Sequence, residues 1–427
     1  MSSENQTTKS IAYRALAVGA IVAIALAFIS PIWWVSLKAP QYPDSAFPQG
    51  IKIHFHMNGV FNGCELIETT EKVETEALDC VHEMDAINHF VGMYPIASGG
   101  VVEKAFSPFL FTMLGVILVG FMIGQPKIRV AVMGVGFLAI AGWMSMTYNS
   151  DGGLRYQNAG YVEALVTSLG QGQEEEGEEL SPIIAQLKES LGTSAATSVS
   201  QEELKERLEA TGQTRLKDVM SKLRSGDGGK AKSLKEILAE AKQSGTGGKD
   251  VNIRVLQQAF EADMSRQPGE KRQSWTGSGK QVLSWHYEKS LGRWFKIEEK
   301  IRPLVEIMTV AGNVVFWGVL ALMAVLLFAA SRSGGFFYWL LPLIPIVVPV
   351  AFIVEYASWL WWYGHSLSEM GAFTLKPFMP TVFGQGKVAQ FSTFSYPHYG
   401  FGLLVLATLL TALSALIRRK QMREAGS

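Results

Sequence analysis

The chain has 427 residues, of which 48% are hydrophobic, and its 38 basic residues balance its 38 acidic ones. This net charge argues neither for a nucleic-acid partner nor for an acidic substrate. The apolar residues form long runs between very polar stretches, a pattern typical of multi-pass membrane proteins. Only two cysteines occur and no CxxCH motif is present, which argues against covalent haem of the c type.

Six apolar runs are long enough to cross a bilayer as helices. The first predicts an uncleaved signal anchor, residues 1–36, because it lacks a small-residue cleavage pattern. Trp33 and Trp34 end this run, as aromatic residues do where a span meets the membrane surface. The six runs cover about residues 11–35, 106–123, 128–146, 304–330, 336–362 and 399–417.

Basic residues flank alternate connections of the six spans and predict their orientation. With six spans they all fall on one side, which the positive-inside rule makes cytoplasmic. We therefore expect a multi-pass membrane protein with both termini in the cytoplasm. Its spans form the anchor, a hairpin at 105–148 and a group within 304–427, and the outward, periplasmic segments are 37–104, 149–303 and 363–398. The basic residues are Lys9, Arg14, Lys127, Arg129, Arg332, Arg418, Arg419, Lys420 and Arg423.

Residues 37–104 predict a small α+β cap. The segment 50–57 alternates as a strand does, and Asn58-Gly59 predicts a tight turn into a returning strand. A helix around residues 82–90 follows. Cys64 and Cys80 fall on the oxidising side of the membrane, so we expect a disulfide between them. A thiolate metal ligand is the alternative for either cysteine.

The stretch from Asp79 to Met93 combines imidazole and thioether groups. If it is helical, His82, His89 and Met93 share one face, because they are seven and four residues apart. Thioethers beside imidazoles favour copper, particularly Cu(I). The alternative is an amphipathic helix that packs its histidines and methionines against the membrane domain.

Two further histidines lie on the predicted strand. His54 and His56 are two residues apart, so both point to one face and can reach one metal ion. The alternative is that they lie on an ordinary solvated strand face.

The outward insert, 149–303, predicts helices separated by glycine- and glutamate-rich linkers, and parts of it are expected to be disordered. Ser200 and Glu203 form a capping-box signature at the start of one helix. No glycine-rich segment fits GxxxxGK[ST], which argues against a nucleotide site. Near the end of the insert, the aromatic residues Trp285, Tyr287 and Trp294 predict anchors at the membrane surface.

The fifth span contains the candidate intramembrane residue Glu355. An ionisable group within a span is a functional candidate by default, although this one also lies near enough to the outer end to reach the interface. Prolines interrupt the same span and predict kinks. In the loop that follows, a short strand is expected at 388–396, and His365 and His398 are secondary metal-ligand candidates.

Three motifs resemble bacterial multi-pass membrane proteins associated with nitrous-oxide-reductase maturation and copper handling. They are the segments 39–43 (APQYP), 88–96 (NHFVGMYPI) and 389–397 (AQFSTFSYP), and the likeness omits the insert. The resemblance implies a role beside a periplasmic copper enzyme, with His89 and Met93 in the matching motif.

Together these features predict a mainly α membrane protein with six spans, an α+β outward cap and an outward insert that is helical and partly disordered. The leading functional expectation is an accessory protein that binds or relays copper for a respiratory metalloenzyme. One alternative is a metal-free scaffold that docks a periplasmic or membrane partner through residues such as Phe90, Tyr94, Phe391 and Tyr396. Another is a small-solute transporter, or a quinone-linked membrane enzyme, that uses Glu355. No nucleophile–base pair, nucleotide loop or haem motif supports an enzyme.

Overall fold

The computed structural model describes residues 3–65, 78–96, 100–169, 248–295, 297–369, 371, 375–388 and 390–426. Within them, six helices are long and apolar enough to cross a membrane, which supports the predicted mainly α, multi-pass architecture. These spans are α1, α3, α4, α8, α9 and α10. The helices are α1 (Ser3–Ile29), α2 (Cys80–Phe90), α3 (Val101–Met122), α4 (Pro126–Asn149), α5 (159–169), α6 (Lys249–Arg266), α7 (Gly279–Trp294), α8 (Glu298–Ala330), α9 (Gly335–His365) and α10 (Tyr399–Gly426).

The chain divides into two compact units. The first consists of Met1–Val166 and Asn252–Ser427, and it contains all six spans. Of the second unit, Thr167–Val251, the structure describes only the end of α5 and the start of α6. The predicted linkers and the capping box at Ser200 lie outside the described residues.

The first and last spans are neighbours because α1 carries a stripe of small residues. Ala17, Ala20 and Ala27 recur at helical spacing and are fully buried. Ala20 packs in a cluster with Ala407 of α10, and Ala27 packs in another with Leu404. Small side chains let two helix backbones approach closely within a membrane, where dispersion contacts replace the hydrophobic effect.

One buried arginine joins two of the short connections between spans. Arg129, at the start of α4, is 1% exposed. Its guanidinium donates to the carbonyls of Ile123 (3.0 Å) and Gly124 (3.2 Å) before α4. It also donates to those of Ala330 (3.2 Å), the last residue of α8, and Arg332 (2.8 Å) just after it. The α3–α4 and α8–α9 connections therefore lie at the same end of the helices. We call this the basic end.

A five-stranded antiparallel sheet lies at the opposite end, which we call the sheet end. Its order is β3-β2-β1-β5-β4, so the central strand pairs with one strand from each side of the chain. Trp34 is opposite both His54 and Tyr396 in this register. The strands are β1 (Trp33–Lys38), β2 (Ile51–His56), β3 (Gly59–Asn62), β4 (Gly384–Val388) and β5 (Phe391–Pro397).

This sheet corrects the predicted end of the first span. Helix α1 stops at Ile29, and Trp33 and Trp34 belong to β1 and not to a membrane-surface anchor. Trp33 is 3% exposed, and its indole donates a hydrogen bond to the Ser395 hydroxyl (2.8 Å). The tryptophan pair therefore holds the sheet together. The predicted hairpin of the cap forms β2 and β3, and the strand expected in the last loop forms β5.

Helix α2 packs on the sheet through an apolar face. The Asp79 carboxylate caps its first turn by accepting from the backbone nitrogens of Val81 and His82. Val81, Met84 and Ile87 recur at helical spacing and lie in one core cluster with residues of β1 and β2. A disulfide joins Cys80 to Cys64, so the helix is also tied covalently to the end of the β2–β3 hairpin.

The aromatic residues near the end of the insert differ from their predicted position. Trp285, Tyr287 and Trp294 of α7 are 5%, 2% and 8% exposed, so they are core residues and not surface anchors. The Trp285 indole donates to the Asp263 carboxylate on α6 (3.1 Å), which also accepts from Lys289. Helices α6 and α7 therefore pack together through a charged pair and aromatic rings.

The prolines of the fifth span do not interrupt it. Helix α9 runs continuously from Gly335 to His365, with Pro342, Pro345 and Pro349 inside it. All three are buried, and their spacing of three and four places them on one face.

Candidate functional site

The histidines of α2 lie against one indole. The ring centroids of His82 and His89 are 6.0 and 5.3 Å from that of Trp294. The two histidines are separated by seven residues and so by nearly two helical turns, about 10 Å. Burial lowers the pKa of His89, so its imidazole is neutral and suited to aromatic packing.

Met93 lies beyond the end of α2, so the helical face predicted for it with His82 and His89 does not extend to it, and its role as a metal ligand stays a prediction. The helix ends at Phe90, and Gly92 adopts a left-handed conformation (φ +79°) that turns the chain. An alanine there would place its Cβ 2.7 Å from the Ser368 carbonyl, so glycine is required on both counts. Met93 is 4% exposed and lines an apolar cavity between α2 and the sheet.

The sheet brings together three histidines from distant parts of the sequence, His54, His56 and His398, which we call the imidazole trio. Strand β2 positions the first two on one face, and His398 follows β5, the strand on the other side of β1. The ring centroids of His54 and His398 are 5.1 Å apart. The backbone of His398 is fixed by a hydrogen bond from its nitrogen to the Ile32 carbonyl (2.9 Å).

The pKa values of His54 and His56 both depend on the charge of His398, as expected for neighbouring imidazoles. Burial, followed by positive charge on Lys52, His398 and His56, lowers the pKa of His54 to about 4. The pKa of His56 is also about 4, because of burial first and His398 second. The His54 Nε2 atom is buried and has no hydrogen-bond partner among the described residues. The trio therefore presents neutral imidazoles at neutral pH.

The remaining histidines are single. His365 is exposed, stacks on Trp361 (4.5 Å) and hydrogen-bonds to its carbonyl (2.8 Å between His365 Nδ1 and the oxygen). His286 is buried, with its Nε2 atom 3.0 Å from the Leu165 carbonyl. Of the two secondary candidates, His365 and His398, only His398 lies beside other histidines.

Glu355 belongs to a group of charged side chains at the sheet end of the spans. Lys104 of α3 interacts electrostatically with Glu103, with Glu355 and with the carboxylate of Asp85 on α2. Asp85 is only 2% exposed. A lysine among three carboxylates links two spans to α2, which gives Glu355 a structural partner. The transport role of Glu355 stays a prediction.

The residues expected to dock a partner fall into two groups. Phe90, at the end of α2, is 53% exposed, whereas Tyr94 and Phe391 are 9% and 8% exposed and belong to the core. Tyr396 is half-buried and packs on Trp34 (5.3 Å between centroids).

Across the described residues, no group of three or more His, Cys, Asp or Glu side chains is arranged to hold a metal ion as it stands. No protein-family model, curated protein or solved structure matches this chain.

Proposed function

We propose that this is a bacterial inner-membrane protein whose sheet end faces the periplasm. Two features, one at the basic end and one at the sheet end, support this orientation. Arg129 and Arg332 meet at the basic end, as expected for cytoplasmic connections. The Cys64–Cys80 disulfide lies at the sheet end, and disulfides persist in oxidising compartments such as the periplasm.

Reporter fusions test this orientation. An enzyme that is active only outside the cytoplasm should work when fused after Asn149, at the sheet end of α4. The same enzyme should be inactive when fused after Ser427, beyond α10 at the basic end. A cytoplasmic reporter provides the matched control at both positions and should give the reverse result. Activity of the first reporter at Ser427 would contradict the proposal.

We further propose that the sheet end binds a copper ion on behalf of a periplasmic metalloenzyme, with the imidazole trio as its ligands. The supporting observation is the approach of His54, His56 and His398 on one side of the sheet. A separation of 5.1 Å between two ring centroids is compatible with a shared ion after rotation of the rings. Neutral imidazole is the ligand form, and the His54 Nε2 atom lacks a competing partner.

The chemistry of the trio fits a copper ion, although it does not select copper. Imidazole also suits zinc, nickel and iron, and Met93, the thioether that pointed to Cu(I), lies elsewhere. Copper therefore rests on the resemblance of the sequence motifs. Lys52 opposes any cation, because its charge lies close enough to lower the pKa of His54 and His398. This ammonium group is turned toward Gln49 (2.7 Å between Lys52 Nζ and the amide oxygen).

Metal titration of the purified full-length protein tests the trio. We expect one ion per chain, and His54→Ala or His398→Ala should weaken its binding by at least about a hundredfold, more than loss of an outer-shell partner does. The matched controls are His365→Ala and His89→Ala, which should bind as tightly as the unaltered protein. Elemental analysis of protein purified without chelator identifies the ion.

An equal loss of metal affinity in the two control variants would contradict the assignment of the imidazole trio as the ligands. Zinc in place of copper would overturn the copper proposal while keeping the site.

A metal-free docking role is the second candidate, and the exposed Phe90 side chain favours it. An aromatic ring that is half exposed at the end of a rigid helix is typical of an interface anchor. Co-purification of a partner that survives both chelation and the histidine substitutions would support this role over copper binding.

A further inference from the structure

An apolar cavity of about 70 Å³ lies between α2 and the sheet. Its walls come from several parts of the chain, including Met84 on α2, Met93 after it, Val35 on β1, Phe391 on β5 and Leu360 on α9. Almost the entire lining is apolar, and the cavity is partly open to the outside. It is independent of the imidazole trio, because none of the three histidines lines it.

One polar side chain in the lining lacks a partner. Asn88 of α2 is 5% exposed, and its Nδ2 amide nitrogen makes no hydrogen bond within the described part of the chain. The two threonines of the lining differ, because the hydroxyls of Thr381 and Thr393 bond to each other (2.7 Å). A buried donor left unpaired is destabilising, so a bound molecule with a hydrogen-bond acceptor for Asn88 Nδ2 would be stabilising.

Water does not suit this position. A buried water molecule is stable when it has about two to four polar partners. Here the Asn88 amide nitrogen is the one buried side-chain polar atom of the lining that makes no hydrogen bond within the described residues. The occupant should therefore be mostly apolar and carry a single acceptor.

The size of the cavity limits the shape of that occupant. A cavity that holds a benzene ring measures about 150 Å³, roughly twice the space available here. A ring of that size is therefore too large for the cavity, whereas a short segment of a linear hydrocarbon chain fits, with the rest of the chain outside the opening. Met84 and Met93 can adapt to such a chain, because methionine side chains are flexible and polarizable.

Two of the wall residues, Tyr356 and Leu360, belong to α9, a helix that is long and apolar enough to cross a membrane. We propose that the cavity binds an acyl chain of a membrane phospholipid, with the ester carbonyl accepting a hydrogen bond from Asn88 Nδ2. A free fatty acid carries the same chain and acceptor, but its carboxylate would lie near the buried Asp85, one turn from Asn88.

Photo-crosslinking of the full-length protein in vesicles tests this proposal. The probe is phosphatidylcholine with a diazirine on one acyl chain. We expect cross-links in the segments that contain Met84, Met93 and Phe391, and we expect unlabelled phosphatidylcholine to compete. Competition by oleate at lower concentration would overturn the ester assignment in favour of a free fatty acid.

Two substitutions probe the cavity from different directions. Asn88→Leu removes the donor at nearly constant volume and should reduce cross-linking roughly fivefold, the equivalent of one hydrogen bond. Ile87→Phe adds bulk to the lining and should abolish cross-linking at these segments. Leu343→Phe is the matched control, because Leu343 lies on the same spanning helix as Leu360 but is exposed.

Thermal unfolding of each variant separates loss of binding from loss of folding. Asn88→Leu should unfold at the same temperature as the unaltered protein or above it, because the unpaired donor is gone. Cross-linking at these segments that is equal in all three folded variants would overturn the proposal.

Discussion

Replacing Arg129 with methionine is expected to destabilise the protein by about 4 kcal/mol or more, because one buried cation joins four carbonyl oxygens. Methionine keeps much of the apolar volume but donates no hydrogen bond. The α3–α4 and α8–α9 connections then lose their common partner. Thermal unfolding in detergent and the amount of protein that accumulates in membranes measure the effect.

Two further variants of basic residues define the cause. Arg129→Lys should be intermediate, because an ammonium group lacks the planar fork that reaches four carbonyls at once. Arg419→Met removes an exposed arginine near the end of α10 and should change the unfolding temperature little. A similar decrease of the unfolding temperature in Arg419→Met and Arg129→Met would show that the net charge at the basic end determines stability, and not the hydrogen bonds of Arg129.

Removing the disulfide should destabilise the sheet end by about 3 kcal/mol, the usual loop-closure contribution for a loop of this size. The bridge closes a segment with a sequence separation of 16. The double variant Cys64→Ala, Cys80→Ala should therefore unfold at a lower temperature than the unaltered protein. A reducing agent should lower the unfolding temperature of the unaltered protein and leave that of the double variant unchanged. Equal sensitivity of both proteins to reductant would contradict this expectation.

The membrane-spanning part of the fold could be predicted because it depends on local composition. Runs of about twenty apolar residues specify helices wherever they occur, and the structure has all six. The end of the first span could not be predicted in this way. Trp33 and Trp34 follow an apolar run in both a membrane anchor and a buried strand, and only their pairing with β2 and β5 distinguishes the two.

The grouping of the histidines depends on contacts that sequence spacing does not contain. His54 and His398 approach because β1 lies between β2 and β5, strands that are more than 300 residues apart. Local spacing placed Met93 with His89, but the helix ends between them at a glycine with positive φ. The burial of the aromatic residues of α7 could not be predicted for a similar reason. A tryptophan in the protein core and one at the membrane surface can have the same neighbours in the sequence.

The unpaired amide of Asn88 was equally hidden in the sequence. It lies on the helix face toward the cavity, where its neighbours in space are apolar residues of other strands and helices. A polar residue inside a helical pattern normally indicates a solvated position. Only the tertiary packing shows that this one is enclosed.

The strand order has a consequence for how the protein is made. The central strand β1 emerges early in synthesis, but one of its two partners, β5, directly precedes the last helix. Until that late segment arrives, one side of β1 offers open backbone groups, a condition that invites mispairing or proteolysis. Chains that stop before residue 391 therefore lack β5, so synthesis of that late strand is a requirement for a durable product.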